Sequence, residues 1–273
     1  MNSSHQRKMR AVSILLAALL FPQTSILQAV TTPSPGVVLA EMKKVADWQM
    51  ANPSMHPVND WTYAPYLEGL IAIYNITREP SYLNALKKAG EGVEWKPGPR
   101  KYTADDYAVC QAYCELYLMM RDPQMIAPTR AAFDFILEHP KNQPMDYDGL
   151  NGVISTERWV WCDALFMGPA SWERLWAATG DRRYLDFMDR EWWATADFLY
   201  DPAEGLMYRD SRFFKQKTAN GKKIFWSRGN GWLLAGLARV LEYLPQDYPS
   251  RPRYVKLFKE MSTAIVTAQS IAG

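Results

Sequence analysis

The sequence predicts an all-α protein whose antiparallel helical hairpins close into a toroid, with an inner and an outer ring. Three observations predict it. Apolar residues recur at three- and four-residue spacing through most of the chain, as in Leu67, Leu70, Ile71, Tyr74 and Leu83, Leu86, Ala89, Val93, the period of a helix with one buried face. Strand-like alternation is scarce, and a short hairpin is expected only around Gly205 to Phe214. Finally, one turn design recurs at Arg78–Leu83, Arg121–Ile126, Gly180–Leu185 and Ser250–Val255: a polar breaker followed by a fresh apolar-periodic run.

In chain order, residues 1–29 read as a secretory signal. Arg7, Lys8 and Arg10 form a basic start, Ala11 to Phe21 is apolar, and Leu27-Gln28-Ala29 is a cleavage site. Nothing later approaches the ~18 consecutive apolar residues of a membrane span, so an exported protein without a span is expected. Helical periodicity then covers 37–51, 60–77, 81–95, 104–120, 123–138, 161–179, 182–200, 230–244 and 252–270. The helices starting near Trp61, Asp106, Asp163 and Gly231 each run about 25 Å before a repeated turn. If they lie parallel as the inner ring, their starts converge on one face. The connections entering two of them, Asn142–Val160 and Tyr200–Trp226, exceed ordinary helix–helix loops, which marks them as functional.

Composition narrows the chemistry. A net charge of +2 leaves no nucleic-acid footprint. Cys110, Cys114 and Cys162 are an odd set that gives no disulfide framework. Beyond the signal only His56 and His139 remain, each next to a proline, too few for a multi-histidine metal site and poorly suited to a Ser-His-Asp triad. Acid–base work therefore falls to carboxylates.

Asp163 sits inside the apolar run Trp159-Val160-Trp161-Cys162-Asp163-Ala164-Leu165-Phe166-Met167. Desolvation there favours the protonated form that a general acid needs; a helix cap or a buried Asp–Arg pair is the structural alternative. Asp105-Asp106 is a second carboxylate site beside it, where two acids at a helix start can also act only as dipole partners. Trp226-Ser227-Arg228-Gly229-Asn230-Gly231-Trp232 combines planar donors for a carboxylate, stacking surface and close backbone approach, as a pocket for a flat or sugar-like anion requires. A tight turn capped by core tryptophans is its structural alternative.

That heptad, with the run from Arg158 to Met167, resembles the unsaturated glucuronyl and rhamnogalacturonyl hydrolases of glycoside hydrolase families 88 and 105, from about residue 40 onward. The resemblance implies an (α/α)6 barrel, which the four inner and five outer helices over 37–273 would leave truncated at the C-terminus, with core-facing surface exposed. It implies removal of an unsaturated (Δ4,5) uronic acid from the non-reducing end of lyase-generated oligosaccharides by hydration of the vinyl ether, most readily as an unsaturated rhamnogalacturonyl hydrolase. By motif position Asp163 is the catalytic acid and Asp106 the second aspartate. The resemblance implies that Trp161, Trp226, Arg228, Asn230 and Trp232 line the sugar pocket, with Tyr63, Tyr66 and Arg209 as further contacts, and it implies no metal or organic cofactor. Where some members carry histidines in the two long loops, this chain has none from Asp146 to Arg158 and offers Tyr208-Arg209-Asp210 in the second. An inverting glycosidase, a polysaccharide lyase or an inactive sugar-binding repeat on the same toroid are the competing readings.

Overall fold

A computed structural model describes residues 33–148 and 154–270. The expected signal segment lies outside the described residues, as does part of the first long loop. Ten α-helices and one two-stranded ribbon are described: α1 (Pro35–Ala51), α2 (Ala64–Thr77), α3 (Pro80–Gly92), α4 (Cys110–Met120), α5 (Ala127–Glu138), α6 (Ala164–Met167), α7 (Pro169–Thr179), α8 (Arg182–Leu199), β1 (Tyr200–Asp201), β2 (Leu206–Met207), α9 (Ser227–Tyr243) and α10 (Arg251–Ala268). Contacts divide the chain at Ala40–Glu41, within α1, and everything below concerns the body from Glu41 onward.

The helices alternate as the periodicity predicts. Successive contacts link α2 to α4, α4 to α7 and α7 to α9, while α3, α8 and α10 pack against α2, α7 and α9, and α5 against α7 and α8. The repeated turns have a common physical basis. Arg78 (φ 57°), Arg121 (φ 61°) and Gly180 (φ 75°) each end a helix in the left-handed conformation, which satisfies a terminal carbonyl. A proline at the next helix start (Pro80, Pro123) or an aspartate cap (Asp122, Asp181) then begins the outward segment.

The inner helices do not start as plain α-helices. Tight 3-10 turns at Trp61–Tyr63 and Ala104–Tyr107 precede α2 and α4, and α6 is separated from α7 at Gly168-Pro169. Proline supplies no N–H there. The Trp159 ring packs so closely on Gly168 that a Cβ would lie 2.8 Å from it. The heptad expected to lead into a helix instead forms its first two turns: Trp226 is the N-cap of α9. The ribbon lies earlier than the hairpin expected around Gly205 to Phe214: it has two residues per strand, with Tyr200 opposite Met207, and Ser211–Phe213 is a 3-10 turn.

Between the inner and outer helices Phe133, Trp172 and Phe187 form a continuous stack, with centroids 3.9 and 4.0 Å apart. All three cysteines are buried and free. Midway along the inner helices a charged network replaces apolar packing. Fully buried Arg174 bonds Glu115 and, at 3.0 Å, Glu242; Arg239 bonds Glu115 at 2.6 Å, Gln111 at 2.7 Å, and Glu68.

Glu68 is over-buried for its share of cation. Burial, then the charge of Glu115, raises its carboxyl to about 7 against the pull of Arg239. The folded protein therefore holds a proton that the unfolded chain releases near the ordinary glutamate range. Stability is present below that range and declines as pH rises toward about 7. Glu68→Gln is expected to melt higher than wild type at pH 8, by roughly 1–3 kcal/mol, with the advantage gone by about pH 5. Thermal melts at both pH values check this; a variant destabilised equally at both would contradict it.

Candidate active site

Three short elements bring the carboxylates together. The Trp61–Tyr63 turn contacts the Ala104–Tyr107 turn, which packs on α6, which in turn packs on the start of α9. Gly236 allows the last approach: a Cβ there would lie 2.9 Å from the Leu165 carbonyl carbon. The segment entering α6 is pinned from outside. Arg158 bonds Glu191 at 2.9 Å and the Gln143 carbonyl at 3.1 Å, and Thr195 donates to the Trp159 carbonyl. From inside, the Cys162 N–H donates to the Arg209 carbonyl at 2.9 Å, joining the two long loops beside Asp163.

Asp163 stands at the N-cap position of α6 but its side chain makes no capping hydrogen bond, and it forms no ion pair with a described residue, so neither structural alternative accounts for its carboxyl. Its Oδ1 is buried without a hydrogen-bond partner among the described residues. Burial raises its carboxyl to about 6, against the opposing pull of its own backbone N–H and then of the Arg209 and Arg228 cations. Such a group is protonated in mildly acidic solution and can give a proton to a bound molecule.

The second carboxylate differs from the sequence expectation. Asp106 is 6% exposed and wholly engaged. It accepts from the Arg100 backbone N–H at 2.5 Å and from its guanidinium at 2.5 and 2.9 Å, while its carbonyl accepts from Gly98 N–H at 2.5 Å. Asp105 is half-buried, its side chain makes no hydrogen bond or ion pair with a described residue, and its carboxyl is raised to about 6 by burial and then by the charge of Asp163. Adjacent side chains on a tight turn point apart, and here the first of the two lies near enough to Asp163 for that charge to act on it. Asp163 and Asp105 are thus the two carboxyls here in no described ion pair, while Asp106 anchors a loop.

Asn230 is a second correction. Its side-chain amide accepts from Met207 N–H at 2.8 Å and donates to the carbonyls of Met207 (2.9 Å) and Trp226 (3.1 Å). It clamps β2 onto α9, and both of its N–H donors are spent there. Asn230→Ala is expected to cost about 2–3 kcal/mol by stranding buried backbone groups, read as a lower denaturation midpoint. An unchanged midpoint would contradict the clamp.

Tyr63 is likewise committed: it is 7% exposed and its hydroxyl donates to the Ser54 carbonyl at 3.0 Å. Tyr66, meeting it edge-on at 6.0 Å, is half-buried with no described hydrogen-bond partner for its hydroxyl. Trp161 is buried, and Trp232 is half-buried against Phe166 at 4.6 Å. Trp226 carries Arg228 over its face at 4.8 Å and Arg209 at 5.7 Å. Of the two heptad glycines only Gly229 is sterically required, since a Cβ there would lie 2.6 Å from Cys162 Sγ, whereas Gly231 faces open space.

Arg228 is exposed and unpaired among the described residues. Arg209 is held by Asp210, which is completely buried and also grips Arg212 at 2.8 and 2.9 Å. Arg212 in turn covers the Tyr147 ring at 4.0 Å. The sequence alone did not single out Asp210, Arg212 or Tyr147 for this part; the Arg-Asp-x-Arg spacing is the one signal that could have. No group of three or more His, Cys, Asp or Glu among the described residues is arranged to hold a metal.

These features can be set beside known proteins. Two unsaturated 3S-rhamnoglycuronyl hydrolases, from Alteromonas sp. and Formosa agariphila, are 32% and 36% identical over 85% and 86% of this chain. The chain spans 61% and 64% of their lengths. Among solved structures, the polysaccharide lyase BACCELL_00875 superposes with a TM-score of 0.73 at 28% identity, covering 86% of this chain and 68% of that one. A glycosyl hydrolase family 88 protein from Bacteroides vulgatus gives 0.72 at 27%, covering 85% and 69%. The sequence profile of Glycosyl Hydrolase Family 88 matches residues 36–273, and the chain belongs to that family.

Proposed function

We propose that this protein is an exported glycoside hydrolase that removes an unsaturated uronic acid from the non-reducing end of lyase-generated oligosaccharides by hydrating its C4=C5 bond. The observation that carries the reading is Asp163: a carboxyl whose Oδ1 is buried without a described hydrogen-bond partner, raised to about 6 by burial, beside a second carboxylate in no described ion pair and two guanidinium groups. Asp163 gives its proton to C4, and the ring oxygen stabilises the cation left at C5. Water adds at C5 and returns a proton to the carboxylate. The resulting hemiketal opens to a ketone at C5 and a hydroxyl at C1, and the C1 hemiacetal releases the following sugar. One water is consumed and Asp163 ends as it began. Asp105, close enough to feel the charge of Asp163, orients the water and the sugar hydroxyls. Arg228, unpaired and steadied on Trp226, takes the uronate carboxylate.

The two relatives named for unsaturated 3S-rhamnoglycuronyl substrates favour that class over rhamnogalacturonyl oligosaccharides as the first to test. Export rests on the basic and apolar pattern of residues 7–29; no helix among the described residues is long and apolar enough to cross a membrane. Incubation with an unsaturated disaccharide is expected to remove the ultraviolet absorbance of its double bond. A rise in that absorbance on intact polysaccharide would instead favour the lyase reading, for which the structural likeness to a polysaccharide lyase speaks. Unchanged absorbance with cleavage of a saturated glycoside would favour an inverting glycosidase.

A further inference from the structure

Asp163 forms no ion pair with a described residue, although an arginine stands beside it. The Arg209 carbonyl accepts the Cys162 N–H at 2.9 Å, one residue from Asp163, and the Arg209 charge acts on the Asp163 carboxyl. A guanidinium next to a desolvated carboxylate ordinarily closes on it in a charge-assisted hydrogen bond. Such a pair would hold Asp163 ionised, the wrong state for a proton donor.

Arg209 is taken up elsewhere. Its Nη1 donates to Asp210 Oδ2 at 2.7 Å. Asp210 is completely buried and holds Arg212 as well: the Arg212 backbone N–H (3.1 Å) and Nε (2.8 Å) donate to its Oδ1, and Nη2 (2.9 Å) to its Oδ2. Asp210 caps the 3-10 turn Ser211–Phe213. The turn folds Arg212 back onto the cap while Arg209 reaches it from the preceding position. The cluster is also tied to the first long loop. Arg212 covers the Tyr147 ring at 4.0 Å, the Tyr147 N–H donates to Ser211 Oγ at 3.0 Å, and that hydroxyl donates to Asp146 Oδ1 at 3.0 Å.

We infer that Asp210 is a positioning residue: by holding Arg209 and Arg212 on itself it denies Asp163 an arginine partner, and so leaves the Asp163 carboxyl able to carry a proton. The inference rests on the proposed role of Asp163 as acid for its effect on turnover. Charged groups face Asp163 from the elements around it: Arg209 and Asp210 from the second long loop, Arg228 from α9, and Asp105 from the turn before α4. On its own segment the neighbour is the buried Cys162 thiol. α7 also packs on α6, but it opens with Pro169-Ala170-Ser171-Trp172 and brings no charge to that end. Of the two cations, Arg228 lies over the Trp226 face, whereas Arg209 is restrained by an ion pair. Removing the Asp210 charge leaves two guanidinium groups without their shared counter-charge, and Asp163 is the carboxyl next to Arg209.

The test is Asp210→Asn, which keeps the shape of the side chain and removes its charge. Carboxyl ¹³C resonances of labelled aspartate, with the Asp163 signal identified by its absence in Asp163→Asn, read the ionisation directly. In the unaltered protein burial holds the Asp163 carboxyl at about 6. In Asp210→Asn its midpoint is expected to fall by about one unit, as an adjoining arginine ordinarily causes. The decline of kcat/KM with rising pH should move down with it, a loss of about tenfold at pH 7 and little at about pH 4. Adding Arg209→Gln to Asp210→Asn should return the midpoint to its original value or above, a reversal that a merely structural role for Asp210 does not produce. An unmoved midpoint in Asp210→Asn, or a fall that persists in the double variant, overturns the inference. If Asp210→Asn does not fold, Arg209→Gln alone decides: the Asp163 midpoint should rise, and an unmoved one overturns the inference. Double-bond absorbance of an unsaturated disaccharide is followed with the unaltered protein. If it persists, the proposed activity fails, while the midpoints still decide the role of Asp210.

Discussion

Asp163→Asn is expected to lower turnover of an unsaturated disaccharide by about 10²–10⁴-fold, the range for removing a positioned general acid. The fold should be untouched, because the carboxyl has no described hydrogen-bond partner at Oδ1 to lose and the amide is nearly isosteric. The pH profile adds a sign. The acid works in its protonated form, and its carboxyl is raised to about 6 by burial, so kcat/KM should fall as pH rises through that region. With Asp105 raised to about 6 beside it, the apparent ionisations belong to the pair and not to either residue. A variant retaining wild-type turnover, or a rate that climbs steadily above pH 7, would remove Asp163 from the mechanism. Circular dichroism melts of both proteins separate this loss from unfolding.

The second large effect separates two adjacent residues that the sequence cannot tell apart. Asp105→Asn is expected to cost about a hundredfold in kcat with an unchanged or slightly higher melting point, since a half-buried, unpaired carboxylate is removed. Asp106→Asn is expected to do the reverse. It weakens the hold on Arg100 and the Gly98–Arg100 loop, at a cost of about 1–2 kcal/mol, discounted because the Arg100 side chain is 57% exposed. Its effect on kcat should be several-fold at most. The two variants, compared for kcat and for denaturation midpoint, give opposite patterns; the exchanged pattern would restore Asp106 as the working carboxylate.

The sequence made the helices legible because each carries its own period and its own stop signals. Arg78, Arg121 and Gly180 end three helices where the repeated turn predicts. Asp163 was legible for the same reason: a carboxylate in an apolar run has few uses. What stayed hidden depends on partners distant in sequence or on the direction of a side chain within one turn. Asp106 is claimed by Arg100 and Asn230 by the Met207 backbone, and nothing in either motif announces those partners. The boundary of α9 was misplaced because Gly229 and Gly231 read as a loop. Gly229 is in fact helical, demanded by the close approach of Trp226 and Cys162.

The central claim is that Asp163 protonates C4 of an unsaturated uronide, so that water enters at C5 and not at the anomeric carbon. Turnover in deuterated, ¹⁸O-enriched water, followed by NMR and mass spectrometry of the released fragments, tests it directly. The account predicts deuterium at C4 and heavy oxygen at C5 of the uronate product. Heavy oxygen at C1, with the double bond intact, would contradict it.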